Sequence, residues 1–99
     1  MRKLRETVAG LVRIMGGNPN TVKVMITNEY TDGRVLDEQI FVNALLIDKS
    51  PAYWGIVAAR ELAGLTTKSY YPHVRRMSTL LERLITNKKF LKQIVLAQM

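Results

Sequence analysis

The segment from Tyr70 to Leu84 sets the tightest limit on what this chain can fold into. Tyr70, Val74, Met77, Leu81 and Leu84 recur at steps of four, three, four and three, the spacing of a single helical stripe. At about 100° per residue, Arg75, Arg76, Thr79 and Arg83 fall on the opposite side. A helix divided in this way must lay its apolar stripe on a neighbour and turn its arginines to solvent. Pro72 fits only if the helix begins near Ser69, because a proline deeper inside removes a hydrogen bond and clashes with the preceding turn.

The segments before it supply neighbours. Leu4, Val8, Leu11, Val12 and Met15 form a second stripe, which predicts a helix over residues 2 to 15. Gly16-Gly17 and Asn18-Pro19 end it, since glycine relieves the left-handed cap position and Pro19 cannot continue the ladder. Thr21 to Thr27 is rich in β-branched residues and reads as a strand. Asp32-Gly33 is expected to make a tight turn into a partner strand from Arg34. Asp37 reads as the N-cap of a helix over residues 37 to 48, although Ile40-Phe41-Val42 alone passes as a strand. Ser50-Pro51 is a helix start, and the small residues Ala52, Gly55, Ala58, Ala59 and Ala63 permit close approach by a neighbour, with a stop at Gly64. The tail after Ile85 has two readings: a hairpin turned at Thr86 to Lys89, or a helix capped by Asn87.

Charge narrows the function. Residues 1 to 50 hold seven basic and six acidic side chains, whereas residues 51 to 99 hold eight and two. Most of the net +7 therefore lies in the C-terminal half, a field that attracts polyanions such as nucleic acid. The absence of cysteine excludes disulfides, thiolate metal sites and cysteine nucleophiles. The longest apolar stretch, residues 40 to 47, is far short of the roughly 20 residues that span a bilayer. Met1-Arg2-Lys3 starts like a signal peptide, but Glu6 and Arg13 interrupt the segment after it, so a cytoplasmic location is expected. His73 is the sole histidine, which leaves no histidine pair for acid–base work; it is read as a flank of the basic helix. The glycines at 16 and 17 lack the lysine of a phosphate loop. Neither an enzyme nor a cofactor or metal is expected.

Residues 37 to 84 thus read as three short helices, the last two joined by a tight turn, which is the layout of a helix-turn-helix. The second helix of such a pair enters the major groove, about 12 Å wide. The expected DNA-facing set is Thr67, Lys68 and Ser69 in the turn, Tyr71, Arg75, Arg76, Thr79 and Arg83 on the helix, and Lys88, Lys89 and Lys92 in a basic wing.

These residues also resemble a family. Ala44-Leu45-Leu46, Pro51 with Tyr53-Trp54-Gly55-Ile56-Val57, Arg60-Glu61-Leu62 and above all Tyr70-Tyr71-Pro72-His73-Val74-Arg75-Arg76-Met77 look like the winged-helix domain of PadR-type transcriptional regulators. The likeness covers roughly residues 38 to 96, and the Tyr-Pro stretch is its most specific part. It implies a winged helix-turn-helix, binding of double-stranded DNA and a homodimer. The Gly-Leu-Ile that usually leads into the wing is replaced by Leu81-Glu82-Arg83-Leu84-Ile85. The chain is therefore expected to be one α+β domain, mainly helical: a winged helix-turn-helix over residues 37 to 97, preceded by a helix and short strand over residues 1 to 36 that serve dimerisation. The alternative is a small basic RNA-associated protein or metal-independent ribonuclease toxin, centred on the N-terminal helix and residues 21 to 36.

Overall fold

The computed structural model describes residues 2–27, 31–67 and 69–87, with Tyr70 described by its backbone alone. It is an α+β arrangement: helix α1 (Arg2–Ile14), strands β1 (Val22–Met25), β2 (Gly33–Leu36) and β3 (Gln39–Asn43), then helices α2 (Pro51–Thr66) and α3 (Tyr70–Ile85). Short 3-10 turns at Pro19–Thr21 and Ala44–Asp48 link these elements.

Helix α1 buries the expected stripe, with Leu4, Val8, Leu11, Val12 and Met15 all in the core. Its end is built as the glycines imply. Gly16 has φ of 91°, its N–H donates to Arg13 O at 3.0 Å, and Gly17 N–H donates to Val12 O at 2.8 Å. This pair of reversed bonds satisfies carbonyls that a helix end leaves without partners. Gly17 is also a contact point, since a Cβ there would stand 2.8 Å from a Leu62 methyl of α2.

The sheet corrects two expectations. Asp32-Gly33 is not the tight turn, because Gly33 already belongs to β2, and β2 does not pair with β1. The strand order is β1-β3-β2, so the chain lays down both edges first and then inserts β3 between them. β3 runs parallel to β1 (Val22 opposite Ile40) and antiparallel to β2 (Leu36 opposite Gln39). The expected helix over residues 37 to 48 is likewise absent. Asp37 caps no helix; with Glu38 it makes a two-residue hairpin turn, both at positive φ (51° and 60°). Such a turn matches the right-handed twist of the flanking strands. Ile40-Phe41-Val42 then takes its strand reading because β1 and β2 supply hydrogen-bond partners on both sides, which no local pattern reveals. Asn43, not Asp37, is the capping residue here: it caps the 3-10 turn at Ala44–Asp48, its side chain accepting from Leu45 N–H at 3.1 Å.

Helix α2 starts as expected, with Ser50 Oγ accepting from Tyr53 N–H at 3.2 Å and Pro51 in the first turn. It continues past Gly64 to Thr66, where Thr67 donates through both its N–H (3.0 Å) and its hydroxyl (2.7 Å) to Ala63 O. Trp54 is buried and donates its indole N–H to Leu46 O. α3 packs along α2 and also touches α1. The close approach expected of the small residues is made at Gly55, where a Cβ would stand 2.9 Å from a Leu84 methyl.

Pro72 lies in the first turn of α3, as required. The inner face of α3 is rotated from the expected stripe, however. Leu80 and Leu84 are buried and Met77 and Leu81 lean on the core, but Val74 is 44% exposed. The half-buried residue beside it is His73, whose Nε2 lies 3.0 Å from Arg60 O. A carbonyl only accepts, so Nε2 carries the proton and ties α3 to α2. His73 therefore belongs to the helix–helix seam and not to the flank of an outer surface.

One core serves all these elements, running from Leu4 through Val22, Ile40 and Val42 to Leu62, Leu80 and Leu84. Each such large side chain contributes about 1.5–3 kcal/mol by leaving water.

Candidate nucleic-acid interface

The seam with α2 decides which side of α3 faces solvent. With Leu80 and Leu84 turned inward, Tyr71, Arg75 and Thr79 lie on an outward ridge, one helical turn apart and about 6 Å from each other along the axis. Thr67, Tyr71, Pro72, Arg75, Arg76 and Thr79 together line an open groove of about 400 Å³. Five of these six are residues the sequence marks for DNA contact; Pro72, a first-turn residue by its backbone role, is the addition.

The members differ in freedom to act. Tyr71 is 82% exposed, a large apolar ring held in water. Arg75 is exposed and Arg76 half-buried. Thr79 is exposed but donates its hydroxyl to Arg75 O at 3.1 Å, which leaves the oxygen to accept. The Thr67 hydroxyl donates its proton to Ala63 O. Ser69 occupies the N-cap of α3, exposed, with no side-chain cap bond of its own. Among the described residues, no carboxylate lines the groove. A guanidinium pair on a helix can form bidentate bonds to phosphate oxygens or to the O6 and N7 of guanine.

Arg83 has another task. It is exposed, but its Nη1 donates to Met15 O at 3.1 Å, so it holds the C-terminal end of α1. A cation there also complements the helix dipole. Lys68, Lys88, Lys89 and Lys92, with both readings of the tail, lie outside the described residues.

Tyr53 and Trp54 are packing residues. Tyr53 leans on the core and donates its hydroxyl to Asp32 Oδ2, while Lys49 Nζ sits 5.8 Å from its ring centre. Asp32, Lys49 and Tyr53, with Thr31 and Asn43, line a second cavity of about 230 Å³. Asn43 Nδ2 donates to Thr31 O at 2.8 Å and Asn43 N–H to Asp32 O at 2.8 Å, so this cavity is the joint that anchors the end of β3 to the β1–β2 connection. Sequence spacing hides it, because its members are distant along the chain.

Among the described residues, no group of three or more His, Asp or Glu side chains is placed to hold a metal ion, and no helix is long and apolar enough to cross a membrane. Comparison of the chain with protein-family models, with curated proteins and with solved structures gives no match.

Proposed function

We propose that this protein binds double-stranded DNA through the outer face of α3, with α2 and α3 acting as a helix-turn-helix and the whole serving as a transcriptional regulator. The observation that carries this reading is the groove on α3, which gathers Tyr71, Arg75, Arg76 and Thr79 with no acid among the described residues that line it. α1 then takes the place of the first, bracing helix, since it packs on both members of the pair. The likeness of residues 70 to 77 to the recognition helix of PadR-type regulators supports the same face, whereas β3 stands where that likeness implies a helix. The lysines at 68, 88, 89 and 92 add charge that phosphates recognise without regard to sequence. A homodimer on paired half-sites multiplies the modest affinity of one module.

Selection from random-sequence duplexes tests the proposal, run beside an Arg75→Ala/Arg76→Ala variant. Wild type should enrich a site, and each lost arginine should cost about 1–3 kcal/mol at the base it contacts. The proposal fails if no site is enriched at about 100 mM salt, or if the double variant enriches the same site equally well.

A further inference from the structure

Among the described residues, the helices pack on one face of the sheet only. Along β3, Ile40 and Val42 are fully buried, while Phe41 between them is half-buried and outside the core. Its neighbours follow the same alternation. Val22, Val24 and Val35 pack inward, and a Cβ on Gly33 would stand 3.2 Å from Glu61 Cγ of α2, so the helices lie on that side. Directly opposite Phe41 are Lys23 on β1 and Arg34 on β2, both exposed. The outer face thus carries a row of cation, aromatic ring and cation, with each cation's strand about 5 Å from that of the ring. The other outward strand positions that are not buried are Met25, Leu36 and Gln39, none of them acidic.

We propose that this face binds single-stranded nucleic acid, a base stacking on Phe41 and the adjoining phosphates meeting Lys23 and Arg34. The positive charge suits a polyanion. The ring fits only one whose base faces are open, because in a duplex those faces are covered by their neighbours. An aromatic on a sheet with basic flanks offers stacking and electrostatic contact together, the combination by which single strands are held without sequence readout. The site is separate from α3 and goes beyond the duplex reading; either can fail without the other.

The test is fluorescence anisotropy with labelled oligouridylate and oligothymidylate of about 12 nucleotides, beside a duplex of equal length. The full chain should bind one or both single strands, and the pair tells RNA from DNA. Phe41→Leu, which keeps an apolar side chain but loses the ring, should weaken single-strand binding about 5- to 150-fold, while Phe41→Tyr restores it. Lys23→Gln with Arg34→Gln should flatten the plot of log affinity against log salt by about 1.4. Arg75→Ala/Arg76→Ala should leave single-strand binding in place. The proposal is overturned if neither single strand binds, if Phe41→Leu binds like wild type, or if the α3 variant removes the binding; unchanged thermal midpoints for both Phe41 variants exclude misfolding as the cause.

Discussion

Replacing Asp37-Glu38 by Asn-Gly should raise the stability of the protein. Both residues sit at left-handed φ, 51° and 60°, in a two-residue turn between Leu36 and Gln39. Left-handed backbone costs an L-residue about 1–2 kcal/mol, less for Asp or Asn, whose short side chains bond locally. Glycine at position 38 removes that cost, but gives back about 0.5–1 kcal/mol through the greater freedom of the unfolded chain. Asparagine at position 37 keeps the local bonding and adds a few tenths. The expected net gain is about 0.5–1 kcal/mol, or roughly 2–8 °C in thermal midpoint for a domain of this size. The assay is thermal unfolding followed by far-ultraviolet circular dichroism and by the fluorescence of Trp54. The sign carries the reasoning: if residues 37 to 48 were a helix begun by Asp37, glycine at its first position would lower the midpoint. A fall would therefore refute the hairpin.

Two further outcomes rest on single hydrogen bonds. Trp54→Phe keeps a ring in the core but leaves the Leu46 carbonyl to the Lys49 N–H alone, so it should cost about 0.5–1.5 kcal/mol in urea unfolding; an unchanged midpoint would mean that the indole N–H adds nothing to the hold of α2 on the Ala44–Asp48 turn. Arg83→Met should lower stability by about 1 kcal/mol by freeing the end of α1 while leaving duplex affinity unchanged, and a clear loss of affinity would return Arg83 to the DNA-facing set.

Where the information was local, the residues could be read directly. The stripe of α1, its glycine stop, the Ser50 cap and the first-turn placement of Pro72 all depend on neighbours within a few positions, and all are found in the structure. The residues that misled depend on distant partners. Ile40 to Val42 suits a helix or a strand by pattern, and pairing with Val22 to Val24, eighteen positions earlier, selects the strand. Val74 and His73 differ by one position on α3, and the carbonyl of Arg60 selects which turns inward. The candidate surfaces divide in the same way. The α3 groove arises from helical spacing, whereas Lys23, Phe41 and Arg34 meet only through register between three strands, and no single segment announces that row.

The insertion of β3 between two earlier strands also dictates an order of assembly. As the chain emerges during synthesis, β1 and β2 have no ladder to join, for each bonds only to the strand that comes last. The ladder edges of β1 and β2 must therefore wait, unpaired, until Asn43 has been made, and the apolar side of α1 until α2 follows. A fragment ending near Leu36 should behave as a loose helix with a sticky strand, prone to self-association. Once β3 arrives, three strands close in one event, and the nucleus for folding should include the Leu36–Gln39 hairpin. Mutations there should slow folding, while those at the α2–α3 seam should mainly hasten unfolding.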